Sequence, residues 1–348
     1  MVLKIRRGEK ALVWVVPGEL LEAICALLQK APQEKTERLV TKHTLRENRN
    51  RTRILLAEDN LVNPSHGLTP RVISGEHRRL GEVYGMDLGL KGRVAIVAAA
   101  STGLGRAVAT ELLKEGAKVA ICARRAGTLE KTAQELREQT GGEILHQIVD
   151  VRNEAEIANF VAAVESRFGK VDICVTNSGG PPSKLFADTR TDEWRSAIDL
   201  LLLSAVHFAR ETLPRMQKNG WGRFITITST TVKQPADGLL LSNSIRSAVT
   251  GLAKTLAGEY AKYGITVNNV CPGYTATDRL SELSETLAAR NKVSEEEVIA
   301  GWKRQIPAGR LGTPEEFAAV VAFLASERAS YVNGTSIAID GGIVRGLL

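Results

Sequence analysis

The sequence predicts a doubly wound α/β fold, in which one parallel β-sheet carries helices on both faces. Three observations lead there. Residues 93–109, RVAIVAAASTGLGRAVA, run from a β-branched apolar strand through a glycine-bearing turn into a helix. Beyond them, short apolar strands alternate with amphipathic helices, the pattern of a sheet buried on both sides. At 348 residues, 43% of them hydrophobic, the chain can fill one such domain of ~250 residues and still leave an extension.

That extension, residues 1–85, does not read as a domain. Its apolar run ALVWVV stops at Pro17-Gly18-Glu19, so it lacks the form of a signal peptide. Residues 19–28 have helical apolar spacing, and after a polar stretch Arg53-Ile54-Leu55-Leu56-Ala57-Glu58-Asp59-Asn60 reads as a strand. Over residues 1–63 this order resembles the junction between tandem receiver domains of hybrid histidine kinases. In that family the adjacent acidic pair holds Mg²⁺. Pro64, Gly67 and Pro70 interrupt the chain where the next helix should begin, and no later strand offers a phosphoacceptor aspartate. Glu58 and Asp59 are therefore read as inert remnants, and no metal site is expected. Gly81-Glu82-Val83 can be encoded as a ribosome-binding sequence a suitable distance before Met86. The expectation is a functional product starting at Met86, preceded by a poorly packed leader that is a fusion scar or a misassigned start.

The body follows element by element. Strand RVAIVAA leads to a helix from Gly103, KVAICA to a helix over 126–138, and EILHQIVD to a helix over 154–168. VDICVTN is the fourth strand. A leucine-rich helix begins near Asp199, GRFITITS forms the next strand, and a long helix covers 243–262. A flexible stretch, 278–308, is expected to cover a substrate. A nucleotide belongs at the strand carboxyl ends, where the strand order switches.

From Met86 to Leu348 these elements resemble a short-chain dehydrogenase/reductase of the β-ketoacyl-carrier-protein reductase type, a Rossmann-type fold. Its cofactor turn, T-G-x-x-x-G-x-G, is matched by Ala98-Ala99-Ala100-Ser101-Thr102-Gly103-Leu104-Gly105, with Ala98 and Ala99 replacing the threonine and first glycine. Gly103 and Gly105 keep the close approach of pyrophosphate to a helix N-terminus. The resemblance also implies an adenine contact at Asp150. It further implies cofactor contacts at Asn177 and Gly179 in Thr176-Asn177-Ser178-Gly179, and a nicotinamide-holding loop at Pro272, Gly273 and Thr277. After the second strand stands Arg124 rather than a carboxylate. A guanidinium there suits a 2′-phosphate, so NADP is expected and NAD stays possible.

The same family works with Asn, Ser, Tyr and Lys. Here Ser229 takes the serine position, but Ser242 stands for the tyrosine, Arg246 for the lysine and Leu201 for the asparagine. An aliphatic hydroxyl is a far weaker acid than tyrosine. Arginine can still grip a ribose but cannot relay protons. Losing a general acid costs ~10²–10⁴ in rate. Lys233, between Ser229 and Ser242, is a candidate replacement acid, and Tyr274 a weaker one. Tyr260 and Tyr331 read as packing residues, and His207 as a packing or interface residue. The set Ser229, Lys233, Ser242, Asn243, Arg246 resembles a divergent, reductase-like subgroup.

Of the 46 basic and 39 acidic residues, 15 and 10 fall within 1–85, so the net charge of +7 belongs mostly to the leader. No basic face argues for nucleic acid, and no apolar run approaches the ~20 residues of a membrane span. Four cysteines, none in a C-x-x-C pair, fit a reducing cytosol. The expected function is an NADP-dependent carbonyl oxidoreductase with a degenerate tetrad, cytoplasmic, acting on a small-molecule ketone or alcohol as a homo-oligomer, tetramer or dimer. A nucleotide-binding pseudoenzyme or partner subunit is the alternative, and non-redox chemistry on the same fold the second.

Overall fold

The computed structural model describes residues 86–347 and the backbone of residues 2–7 and 10–15. The chain divides into two units, Met1–Leu80 and Gly81–Leu348. In the first, β1 (Val2–Arg7) and β2 (Lys10–Val15) form an antiparallel hairpin with Val2 opposite Val15 and Arg7 opposite Lys10. The sequence reading did not foresee it. The expected helix at 19–28, the strand with Glu58 and Asp59, and Cys25 lie outside the described residues.

The second unit is built on seven parallel strands: β3 (Val94–Ala98), β4 (Lys118–Ala123), β5 (Ile144–Ile148), β6 (Ile173–Thr176), β7 (Gly222–Ile227), β8 (Ile265–Pro272) and β9 (Ser336–Ile339). Their order is β5-β4-β3-β6-β7-β8-β9. The order reverses between β3 and β6, which opens a crevice at their carboxyl ends.

Alternation along β3 shows why both faces must be covered. Ala95 and Val97 enter one core with α1 (Gly103–Lys114), α2 (Ala126–Thr140) and α9 (Pro314–Ala325), through Leu112, Leu136 and Phe317 among others. Val94, Ile96 and Ala98 enter a second core with α3 (Glu154–Phe168), α5 (Ser204–Asn219) and α6 (Leu240–Tyr260), through Phe160, Phe208 and Ala253. The cysteines Cys122, Cys174 and Cys271 are free and buried in the sheet, where loss of solvent pushes Cys122 up to about 12. Helix ends are fixed locally: Asn153 accepts from the amides of Ala155 and Glu156 at the start of α3, and Thr313 and Glu316 close a capping box on α9.

Two expectations change. The helix expected from Asp199 starts as a π-turn at Asp199–Leu203 and runs on as α5 to Asn219, and an unforeseen α4 (Thr191–Ile198) leads directly into it. The flexible stretch 278–308 contains two helices, α7 (Asp278–Asn291) and α8 (Glu295–Gln305), each started by a hydroxyl cap, Thr277 and Ser294.

At the opposite end of the sheet, buried Asp172 accepts from the Val94 amide at 2.9 Å and meets Arg93 and Lys170. The Arg93 guanidinium stacks 3.6 Å from the Trp221 ring centroid and also pairs with Glu327. Arg328 donates to the Asp87 carbonyl at 2.8 Å, so the start of this unit is fastened to its last helical segment.

Candidate active site

One cleft of about 1250 Å³ occupies the crevice. Of the residues singled out from sequence, its lining takes in Ala99, Ser101, Thr102, Gly103, Leu104, Arg124, Asp150, Asn177, Gly179, Ser229, Ser242, Arg246, Pro272, Gly273 and Thr277. Gly105 and Lys233 are not among the lining residues.

At one end the turn after β3 feeds α1. Thr102, the residue before α1, is extended and makes no side-chain cap, and the first turn carries no acid. The first amides of α1 are therefore available to an anion. Gly105 lies just behind the lining for a steric reason: a Cβ there would fall 2.5 Å from the Ala99 carbonyl oxygen and 2.9 Å from Ala100 Cα. Ala99, in place of the family glycine, holds a positive φ of 48°. That backbone costs an alanine roughly 1–2 kcal/mol. A Cβ on Gly103 would lie 3.6 Å from the Thr277 methyl, so the loop after β8 closes over this turn. The Gly273 amide donates to Ile339, which fixes that loop to β9.

Arg124 and Arg125 are exposed past the end of β4, with no carboxylate at that position. Asp150 sits across from them, already engaged. Its carboxylate accepts from the Arg152 backbone amide at 3.1 Å and Nε at 3.0 Å, and also from Nη2. Hydrogen bonding from Arg152 holds Asp150 below the usual carboxylate range. An adenine amine would meet a paired carboxylate, a partner the sequence reading missed although Arg152 lies only two residues on.

At the other end the Ser229 hydroxyl accepts from the Thr231 amide at 3.2 Å, which leaves its own proton free to donate into the cleft. Ser242 is the third residue of α6 and Arg246 follows one turn later on the same wall. Arg246 Nη1 donates to the Ile227 carbonyl at 3.1 Å, and no described carboxylate lies within ion-pair distance of it. Burial, and then the nearby Arg279 guanidinium, push Arg246 down to about 10. Leu201, at the asparagine position, is 4% exposed and packs with Ala197, Leu241 and Ile245. A π-turn, Asp199–Leu203, carries it. The cavity between Leu201, Ser204 and Arg246 is about 10 Å³, at the lower edge of what one water needs. Its polar lining comes from Thr176, Asn177, Ser178, Ser204 and Arg246 rather than from residue 201.

Lys233 ends the short turn Thr230–Val232, its amide donating to Thr230. The structure does not bring its side chain into the cleft lining. Tyr274 does line the cleft; its ring stacks on Trp302, centroids 4.8 Å apart, and burial raises its phenol. Tyr260 packs on the second core with its ring tilted 58° to that of Tyr263, whereas Tyr331, expected to pack, is wholly exposed. His207 is buried on α5 with Nδ1 3.5 Å from Glu154.

Comparison with known proteins decides the family. The family model described as enoyl-(acyl carrier protein) reductase matches residues 98–344. The chain belongs to the short-chain dehydrogenase/reductase family. It is 34% identical to the 3-oxoacyl-[acyl-carrier-protein] reductase of Salmonella typhimurium over 256 residues, 74% of this chain and 99% of that protein. Among solved structures of the family, L-sorbose reductase from Gluconobacter frateurii, complexed with NADPH and L-sorbose, matches with a TM-score of 0.72 and 32% identity over 75% of this chain and all of that one. An NADPH-bound short-chain oxidoreductase from Pseudomonas aeruginosa with an atypical catalytic centre matches at 0.68 and 30%, over 74% of this chain and 99% of that one.

Proposed function

We propose that this chain is an NADP-dependent carbonyl oxidoreductase whose reaction site is rebuilt around Ser229, Ser242 and Arg246. The observation that carries this reading is convergence: all three line the same cleft as the uncapped amides of α1. The residues fit the cofactor. The first amides of α1 suit a pyrophosphate, Arg124 a 2′-phosphate, and Asn177 and Thr277 the nicotinamide end. Bound NADPH supplies the hydride. Ser229 donates a hydrogen bond to the substrate carbonyl oxygen, and Arg246 stabilises the negative charge that grows there. Ser242 delivers the proton to that oxygen and regains one from water in the open cleft. Because a serine hydroxyl is a poor acid, turnover should run roughly 10²–10⁴ slower than with a tyrosine. With its side chain off the lining, Lys233 is less suited to that task than Ser242.

The wider reading is a cytoplasmic enzyme acting on a small molecule, supported by three free, buried cysteines. Among the described residues no helix is long and apolar enough to cross a membrane. A homo-oligomer contacting through α5 and α6 is part of the proposal. The exposed face of α6 is paved with small residues, Ser244, Ala248 and Gly251. Sedimentation of Gly251→Arg tests it: a shift to monomer is expected, and an unchanged assembly removes α6 from the interface.

The experiment is titration of the full chain with NADPH and NADH, followed by a panel of carbonyl substrates. Binding with turnover is expected. Binding without turnover makes the protein a nucleotide-binding partner subunit, and no binding points to non-redox chemistry.

A further inference from the structure

Two arginines lie deep in this unit, and their guanidinium groups are treated differently. Arg223, buried in β7, spends its donors on the carbonyls of Gly222, Gly264 and Ser326 and on the Ser330 hydroxyl. Arg246 makes one hydrogen bond, from Nη1 to the Ile227 carbonyl. Its other donors hydrogen-bond to no described residue, although the side chain is half-buried on the cleft wall. The Ser242 hydroxyl, one turn earlier on α6, also hydrogen-bonds to no described residue, and the Ser229 proton is free.

Charge around Arg246 is of one sign. The charge that presses on it is another cation, the Arg279 guanidinium. Cys271, whose thiol burial raises, feels the positive charges of both Lys233 and Arg246. The acids of the cleft are paired or peripheral. Asp150 holds Arg152, and Glu282 holds Arg279. Asp237 and Asp278 stand exposed to screening by water, and neither pairs with Arg246. A desolvated charge is costly unless an opposite charge meets it. Among the described residues none does, so the fitting anion is one that enters the cleft.

We infer that the substrate is a 2-oxo acid, whose carboxylate is bonded directly to the carbonyl carbon, and that Arg246 binds this carboxylate. The assignment rests on the carbonyl site proposed at Ser229, Ser242 and Arg246. A guanidinium presents parallel donors that match two carboxylate oxygens, which a lysine ammonium does not. With the carboxylate on the adjacent carbon, one guanidinium also faces the carbonyl oxygen. Residues one helical turn apart have Cβ atoms about 5–6 Å from each other, so Ser242 reaches that oxygen while Arg246 holds the acid. Hydride passes from NADPH to the carbonyl carbon and a proton to its oxygen. The products are a 2-hydroxy acid and NADP⁺, with the carboxylate unchanged.

The test uses the full chain with oxamate, in which an unreactive amide stands in place of the ketone, and oxamide, its neutral isostere. Calorimetry in the presence of NADPH should show oxamate binding about 10- to 100-fold more tightly. Arg246→Gln should erase that preference, and Arg246→Lys, which keeps the charge but not the fork, should retain part of it. A thermal melt confirms that each variant is folded; if neither folds, the wild-type comparison decides alone. In turnover, 2-oxobutanoate should exceed its methyl ester in kcat/KM by a similar factor, mostly through KM. An oxamate preference without turnover of any carbonyl keeps the inference and rejects the reductase reading. Equal binding of oxamate and oxamide overturns it, as does a preference that survives Arg246→Gln. Displacement of oxamate by NADPH also overturns it, because the anion at Arg246 would then be a cofactor phosphate.

Discussion

Gly105→Ala isolates the nucleotide end of the cleft, because residue 105 does not line the cleft and yet sets where α1 begins. The new Cβ would sit 2.5 Å from the Ala99 carbonyl oxygen and 2.9 Å from Ala100 Cα, where ordinary contact is 3.4–4 Å. Both obstacles are backbone, so α1 must retreat by roughly 0.9 Å to restore contact distance. Overpacking of this kind costs ~1–3 kcal/mol. For a domain of this size that lowers Tm by roughly 2–12 °C. The same retreat carries the first amides of α1 away from a bound pyrophosphate. A lost charge-assisted hydrogen bond weakens NADPH binding by about 10- to 100-fold. Fluorescence titration with NADPH and a thermal melt read the two effects separately. Gly127→Ala in α2 is the control, since nothing lies within 4 Å of its Cβ; it should be neutral or stabilising by up to about 1 kcal/mol. A Gly105→Ala protein that melts lower but binds NADPH as tightly as wild type would refute the placement of the phosphates at α1.

Three further outcomes are expected. Ala99→Gly removes the positive-φ penalty at 48°, and after the greater unfolded-state freedom of glycine is subtracted it should stabilise by about 0.5–1 kcal/mol; an unchanged or lower Tm contradicts the strain. Arg124→Ala should weaken NADPH about 10- to 100-fold and leave NADH nearly untouched, so equal losses for both would remove Arg124 from the 2′-phosphate. Glu316 is held at about 2, from an ordinary 4.5, chiefly by its Arg310 hydrogen bonds. A depressed carboxylate stabilises the fold fully above its unfolded value and loses that contribution as pH falls through the folded one. The Tm gap between wild type and Glu316→Gln should therefore be constant above pH 4.5 and close toward pH 2. A gap that does not change with pH would mean the ion pair is not its source.

Much of the second unit was legible because its signals are local. Strand KVAICA, the turn at Gly103 and the helix at 154–168 each carry their own apolar period or cap, and the structure keeps those bounds within a few residues. The candidate site positions were also readable as spacing, since Ser229 follows β7 and Ser242 and Arg246 stand one turn apart on α6. What escaped depends on contacts distant in sequence or on backbone detail. The π-turn at Leu201 follows from no residue pattern. Arg152 captures Asp150 through a side-chain orientation that charge spacing alone leaves open. The stretch 278–308 looked irregular because α7 and α8 are short and each buries only one edge. The hairpin at the N-terminus was missed because ALVWVV was judged for its length rather than for a partner strand.

The fastening of Asp87 and Arg93 to Glu327 and Arg328 sets a schedule for synthesis. Arg93 and Glu327 are separated by 234 positions, so at ordinary translation speeds roughly 10–50 s pass between their appearances. Throughout that interval β3, the strand on which the whole sheet is laid down, has no partner for the clamp at its entrance. Its apolar residues meet β4, α1 and α2 early, so only the clamp waits for Glu327 to emerge. A stop codon a few positions before Glu327 would leave Arg93, at the entrance to β3, without that partner and Asp87 without Arg328.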